Sequence, residues 1–585
     1  MTGGARRDEE DEAGARRTTR TAVAALALVY VALRLWRLTD SCLWFDEIFG
    51  VHAARHTWGQ MLRFVAADVI HPPLFYALLK IWTAAGGESL AWLRLLPVVL
   101  SCLALVPLVL LCRELRLTRA ETCLALLLAA LNGYLIKYAQ EVRMYSLLLL
   151  LSLTSLLLFV KFYNSTRDSY GRLAALFAAN LLLVHTHYYG WLVVAAELVF
   201  PLLARTSRRK LFGLAAQAAL VGVCFAPWVY AVAGAAPAGG GLAQNIGWIT
   251  RPGLAALAQL YLTANELIYF QQASHEPPHL RLALLLGPLV FGLPLLALAW
   301  RRTNNDGRTS AGDSDTSTVS GAEIKSDFDA NADSGAGVNN VNAVLLLAFF
   351  AALPVALAFV LSLALPYSVW GARHLVVAVA PYLILVGVAL ARLRPRWLRT
   401  ALLALLGCWL LMNASYLLLR GRQTYVWCAW EPLARRIVED ARTHDEPARD
   451  RATLKVYAFE EAAAYHVWFA LSSTREGRAD SSHAARSSRE ERFSVEVIKN
   501  VPGLAEDPAY FLPRAFAGVR TRAAGEAIGE DFFYVAFRDS AWRPDRPPLK
   551  FLSERGYEAG PPFELRTKTG AAFVAPVRRA PPGGR

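Results

Sequence analysis

Long apolar stretches recur along this chain and constrain its fold more than any other feature. Apolar runs near residues 21–38, 90–112, 120–139, 144–161, 173–186, 190–204, 211–231, 281–300, 343–365, 373–391 and 399–419 approach or reach the length that crosses a bilayer. In hydrocarbon a segment must satisfy its own backbone N–H and C=O groups, so such runs fold as helices. They predict an α-helical polytopic membrane protein with about eleven transmembrane helices. Composition agrees: 55% of the residues are hydrophobic, only 18% are charged, and the mean hydropathy is +0.32. Soluble domains rarely combine these values.

The formal net charge of +14 does not point to nucleic acid, because of where the cations lie. They cluster in short links between apolar runs, at Arg113 to Arg119, Arg205 to Lys210, Trp300-Arg301-Arg302 and Arg392 to Arg399. Cytoplasmic loops carry such an excess. With the N-terminus inside, the links after the second, sixth, eighth and tenth runs all fall inside, and the odd number of crossings puts the C-terminal part outside. Residues 1–20 mix Arg, Asp and Glu and read as a cytoplasmic tail. The run from Thr21 lacks a small-residue cleavage site and reads as a retained helix. Residues 304–342 are rich in Ser, Asp, Gly, Ala, Thr and Asn, the composition of a disordered cytoplasmic insertion without chemistry of its own. No internal repeat is evident, which disfavours an inverted-repeat transporter.

The expected domains are the tail at 1–20, a membrane domain at 21–420 and a soluble α/β domain on the outer face at 421–585. In the last of these, Thr453 to Phe459, Phe493 to Ile498 and Asp531 to Phe537 read as strands, and Glu460 to Leu471 as a helix. Arg475 to Arg492 is charged and Ser-rich, an expected exposed loop. The seven cysteines have no metal-ligand spacing, and most lie in apolar runs. Only Cys42 and Cys428 fall on the predicted outer side, where a disulfide is one reading. No cofactor is certain from these residues, and a divalent metal is compatible with them but not indicated.

The chemistry-bearing residues gather on that same side. Asp46 and Glu47 follow the first run within Leu43-Trp44-Phe45-Asp46-Glu47-Ile48-Phe49. A carboxylate at an aromatic membrane boundary is partly desolvated and can take a proton from a hydroxyl; a solvated loop pair or a helix start is the plainer reading. His71-Pro72-Pro73 opens a short apolar stretch to Gly86 that reads as an interfacial helix. Gln140-Glu141-Val142-Arg143-Met144-Tyr145, His185 to Tyr189, the long loop from about 232 to 280, and Tyr367 to His374 complete the outer face. Guanidinium groups suit bidentate capture of phosphate, so Arg143 and Arg373 are candidate donor-phosphate ligands. Glu141 and Arg143 have an alternative as a helix-end ion pair, His187 and Tyr188 as an interfacial aromatic belt, and Arg373 and His374 as part of a helix anchor.

Taken in order, these segments resemble a known family. Asp46-Glu47 after the first helix, His71-Pro72-Pro73-Leu74-Phe75-Tyr76, Glu88-Ser89 with Leu93-Arg94-Leu95-Leu96-Pro97, and Tyr138 to Ser146 look like the opening of the C-type glycosyltransferases. This is the family of the protein O-mannosyltransferases and the lipid A aminoarabinose transferase. Order and spacing match through about residue 200. Ala372-Arg373-His374-Leu375 is similar to a later motif in which Tyr more often follows the Arg, while the 304–342 insertion and the C-terminal domain match only in placement. The resemblance implies transfer of a sugar from a polyprenyl-phosphate carrier to an acceptor hydroxyl on the outer face of the cell membrane, inverting the anomeric carbon. Asp46 stands at the position of the family's base, and Glu47 is its companion in the expected catalytic pair, orienting the loop or Asp46. His71, Glu141, Arg143, Tyr145, His187, Tyr188, Arg373 and His374 are the implied donor-phosphate and substrate contacts. His71 stands where the aminoarabinose transferase has a Lys. Partners are then membrane lipid, the lipid-linked sugar and a hydroxyl-bearing protein, lipid or glycan. A lipid-linked-sugar flippase would instead need ionisable groups spread through the spans, and a non-catalytic scaffold would not need the acid–base set.

Overall fold

The computed structural model describes residues 21–165, 170–204, 206–236, 246–247, 249–268, 280–310, 342–419, 425–443, 454–473, 493–504, 518–538, 547–567 and 570–581. The tail at 1–20, the bulk of the 304–342 insertion and all of the Arg475 to Arg492 segment lie outside them. Among the described residues, seven helices are long and apolar enough to cross a membrane: Leu90–Glu114, Tyr145–Tyr163, Arg208–Ala235, Arg281–Arg301, Ala343–Ala364, Ala372–Arg392 and Arg396–Leu419. Shorter apolar helices occupy Thr21–Leu35, Leu74–Gly86, Gly190–Leu203 and Leu254–Ala264. The protein is an integral membrane protein with a small C-terminal α/β domain.

Two compact units form, each discontinuous in sequence. The first comprises Met1–Trp36, Pro97–Pro227 and Arg251–Leu419; the second comprises Arg37–Leu96, Trp228–Thr250 and Arg420–Arg585.

Within the first unit, helix Arg119–Leu131 starts with a reciprocal cap: Glu121 N–H donates to Thr118 Oγ1 (3.3 Å) and Thr118 N–H to Glu121 Oε2 (2.7 Å). The apolar run at 120–139, expected as one crossing, breaks at Asn132 into helices Arg119–Leu131 and Gly133–Ala139. Asn132 Oδ1 caps the second helix by accepting Leu135 N–H at 2.9 Å, while its Nδ2 donates to Ala264 O at 2.8 Å. The break frees carbonyls at the end of the first helix. Arg34, fully buried, donates to Ala129 O (3.0 Å) and Ala130 O (3.3 Å), a cation at a helix C-terminus. A second buried polar junction ties four helices together through Ser155, Asn180, Glu197 and Gln217. Asn180 Nδ2 donates to Glu197 Oε2 (2.6 Å) and Gln217 Oε1 (3.4 Å), and Ser155 Oγ contacts both Asn180 Oδ1 and Glu197 Oε1.

The second unit contains a seven-stranded sheet in the order β3-β2-β1-β4-β7-β5, with β6 also on β7. The strands are β1 Leu454–Ala458, β2 Phe493–Lys499, β3 Val519–Ala523, β4 Phe532–Arg538, β5 Tyr557–Ala559, β6 Phe563–Thr567 and β7 Gly570–Arg579. β1 to β4 pair in parallel, with Val456 facing Val495 on one side and Tyr534 on the other, whereas β7 runs antiparallel to β4. Tyr457, Phe459, Ile498, Phe533, Val535, Phe551 and Phe573 form the core on one face. Helix Glu461–Ser473 connects β1 to β2, as a parallel pair requires. The strands expected near 453–459, 493–498 and 531–537 are β1, β2 and β4.

Candidate active site

In the second unit, Asp46 lies in the first turn of helix Phe45–Arg55. The next residue sets the turn. Glu47 is fully buried, its carboxylate accepts the Trp44 N–H at 2.9 Å, and it thereby closes the helix start. The same carboxylate is 3.6 Å from Arg94 Nη2. Arg94 is itself buried and donates to Leu38 O (2.8 Å), Ser41 Oγ (2.9 Å) and Cys42 O (2.9 Å). One guanidinium thus gathers the chain from Leu38 to Glu47 and leaves Asp46 half-buried at a fixed place. Cys42 and Cys428 form a disulfide with a Cα–Cα separation of 5.3 Å.

His71 is buried in the same unit, its Nδ1 3.9 Å from Asp68 Oδ2. Asp68 ends helix Trp58–Asp68, and Val69 beyond it takes a left-handed conformation (φ 55°) that turns the chain back toward the Pro pair. Helix Leu74–Gly86 then begins, with Pro73 as its cap residue.

The first unit holds the remaining candidates. The turn from Gln140 to Met144 is buried, and Gln140 Nε2 anchors it by donating to Arg34 O (3.0 Å) and Trp36 O (2.8 Å). Arg143 N–H donates to Glu141 O at 2.6 Å, which tightens the turn before helix Tyr145–Tyr163. Tyr145, His187, Tyr189 and His374 form one ring cluster. The His187 and His374 centroids are 4.5 Å apart, Tyr145 stacks on His374 at 6.1 Å, and Tyr189 meets His374 edge-on at 5.2 Å. Two tyrosines hold the Arg373 segment: Tyr134 OH donates to Ala372 O and Arg373 O, and Tyr189 OH to Val369 O. Gly371 is required here, since a Cβ on it would lie 2.5 Å from His374 Nδ1.

Burial, and after it the charges of Arg143 and Arg373, pushes His187 down to about 3, so the ring is neutral. Its Nδ1 accepts the Tyr189 N–H at 3.0 Å, which places the ring proton on Nε2. His187 is therefore a neutral donor beside two fixed cations. Tyr188 turns its ring toward Phe225, 6.2 Å away. Within the first unit the structure thus brings Arg143, Tyr145, His187, Arg373 and His374 together, and within the second it joins Glu47, the neighbour of Asp46, to Arg94 and His71 to Asp68.

Solved structures supply the comparison. The apo crystal structure of ArnT from Cupriavidus metallidurans matches over 96% of this chain and 98% of its own, with a TM-score of 0.52 and 15% identity. The chain thus shares the fold of ArnT. ArnT from the same organism bound to undecaprenyl phosphate gives a TM-score of 0.51 at 13% identity, over 95% of this chain and 97% of that one. The archaeal oligosaccharyltransferase AglB from Archaeoglobus fulgidus, in complex with an inhibitory peptide and a dolichol-phosphate, matches 78% of this chain at 14% identity and a TM-score of 0.39; the match spans 64% of AglB, less than two thirds of its length. No family model and no curated protein matches the chain.

Sequence reasoning did not single out Asp68, Tyr134 or the role of Arg94. Asp68 carried the one available signal, a carboxylate three residues before a candidate histidine.

Proposed function

We propose that this chain is an integral membrane glycosyltransferase. It moves a sugar from a polyprenyl-phosphate carrier to an acceptor hydroxyl on the extracytoplasmic face of the cell membrane. The placement of Asp46 carries this reading: a half-buried carboxylate in the first turn of a helix whose start is fixed by Arg94 and Glu47, in a chain that follows the ArnT fold nearly end to end. ArnT has been solved with undecaprenyl phosphate, which supports a carrier of that class. The Cys42–Cys428 disulfide supports an oxidising compartment for this loop.

In the proposed reaction the acceptor oxygen attacks the anomeric carbon from the side opposite the carrier, the bond from that carbon to the phosphate oxygen breaks, and the configuration inverts. Asp46 takes the hydroxyl proton. Arg143 and Arg373 offset charge on the departing phosphate, and His187 donates a hydrogen bond from Nε2 without adding charge. Tyr145 and His374 shape the surface beside them, Tyr188 and Glu141 frame it, and His71, oriented by Asp68, contacts the donor. Glu47 holds the turn that presents Asp46.

The test has two stages. Mass spectrometry of the purified protein identifies the co-purifying polyprenyl-phosphate sugar, and turnover is then followed as loss of that sugar from its carrier. Asp46→Asn is expected to slow turnover by about 10²–10⁴ while leaving undecaprenyl phosphate binding intact. Turnover near wild type in that variant would sink the assignment.

A further inference from the structure

Helix Phe45–Arg55 runs alongside helix Glu461–Ser473 of the C-terminal sheet domain, within the same compact unit. Phe45 meets Tyr465 edge-on at 5.8 Å, His52 meets Trp468 at 4.9 Å, and Arg55 lies 5.2 Å from the Phe469 ring while donating to Ser472 Oγ. These contacts advance in the same direction along both helices, so the helices are parallel and their N-termini share one end. Positions 45, 52 and 55 fall on one helical face, which explains why all three reach the same partner.

That shared end coincides with the carboxyl ends of β1 and β4. There the strand order turns, since β1 leads outward to β2 while β4 lies on its other side, and α/β sheets open a crevice at such a point. A stack of side chains gathers at that end. Arg538, last in β4, donates from Nε to Glu460 Oε2 at 2.7 Å. Its guanidinium lies 4.4 Å from the Trp427 ring, Trp427 stacks on His466 at 5.0 Å with 17° between planes, and His466 lies 6.3 Å from Phe45. Next to Trp427, Cys428 is bonded to Cys42. The stack and the disulfide reach the chain on either side of Trp44, immediately before Asp46.

We infer that the C-terminal domain is a positioning element for Asp46: Arg538 and Trp427 act through His466 and Phe45 to hold the first turn of helix Phe45–Arg55. This rests on Asp46 as the base, but the order of the loop is measurable without any substrate. Hydrogen exchange on the full-length protein in detergent reads the amides of residues 43–48 against those of β1 and β4. Trp427→Ala and Arg538→Ala are expected to speed exchange at 43–48 about tenfold, the effect of losing a partly exposed cation–π contact with its ion pair, and to leave β1 and β4 protected. Trp427→Phe and Arg538→Lys keep a ring and a cation and should recover most of that loss. In the sugar-release assay the Ala variants should lower kcat and leave the donor KM in place. Unchanged exchange at 43–48, or faster exchange spread across β1 and β4, overturns the inference. Faster exchange confined to 43–48 with an unchanged kcat leaves the positioning inference standing and refutes Asp46 as the base.

Discussion

Replacing Arg94 by Met tests the architecture beneath Asp46. The substitution keeps the length and apolar bulk of the side chain and removes the guanidinium. It deletes hydrogen bonds of 2.8, 2.9 and 2.9 Å to Leu38 O, Ser41 Oγ and Cys42 O, and the cation 3.6 Å from Glu47. Glu47 is 0% exposed, so its carboxylate would be left buried without that countercharge. Breaking a buried pair in this way costs about 3–5 kcal/mol. Glu47→Gln alone should cost less, because Arg94 keeps its three oxygen acceptors and the amide oxygen introduced there can still accept the Trp44 N–H. In the double variant no charge is stranded. What remains, as in Arg94→Met, is the desolvation of the Leu38 and Cys42 carbonyls, about 1–3 kcal/mol each, so the double should be more stable than Arg94→Met. The assay is the apparent midpoint of thermal unfolding in detergent for wild type, both singles and the double. A double variant no more stable than Arg94→Met would refute the stranded-charge account.

Further outcomes follow from other contacts. Arg143→Ala is expected to raise the apparent Kd for undecaprenyl phosphate more than it affects the acceptor KM, with Arg143→Lys intermediate because it keeps the charge and loses the fork; equal effects on both would indicate a structural role. Gly371→Ala should destabilise the first unit by about 1–3 kcal/mol through its clash with His374, and adding His374→Ala should restore part of the loss in the same unfolding assay. Burial and then the Arg538 charge push His466 down to about 3, below the ordinary 6.5, so the unfolded state binds the extra proton between those values. The sheet domain should therefore lose stability as pH falls from about 6.5 toward 3, by up to about 1.4 kcal/mol per pH unit, with no dependence from this group above that window; His466→Gln should flatten the slope. Removing the disulfide with Cys42→Ser and Cys428→Ser together should cost about 2–5 kcal/mol, read as a lower unfolding midpoint.

The fold was legible wherever one periodic signal ran long enough. Ala343–Ala364 and Arg396–Leu419 are unbroken apolar helices, and β1, β2 and β4 are central strands whose buried faces leave nearly continuous hydrophobic runs. Two other strands were harder to read. β3, at the sheet edge, is Val519-Arg520-Thr521-Arg522-Ala523, where charge alternates with small residues, and β7 carries Pro576, a residue that argues against a paired strand although β7 lies between β4 and the strands β5 and β6. The break at Asn132 was hidden for another reason: its only local mark is Asn132-Gly133, and apolar residues on both sides complete a plausible span.

The candidate site was visible because charged residues beside apolar runs are costly and therefore stand out. Glu197 also stands alone within an apolar run, but its meaning depends on Ser155, Asn180 and Gln217, which come from three other helices. Arg94 and Arg34 make the same point more sharply. Their principal acceptors are backbone carbonyls, at Leu38 and Cys42 for one and at Ala129 and Ala130 for the other. Every residue carries a carbonyl, so a sequence that displays the donor gives no sign of which acceptors will be left over. The fold decides that, by ending one helix at Leu131 and by turning the chain between Leu38 and Glu47. Sequence therefore shows which side chains carry charge, and the fold shows which of them are spent holding the backbone. By that criterion Arg94 belongs to the scaffold, whereas Asp46, half-buried on the turn that Arg94 holds, is the carboxylate we propose for chemistry.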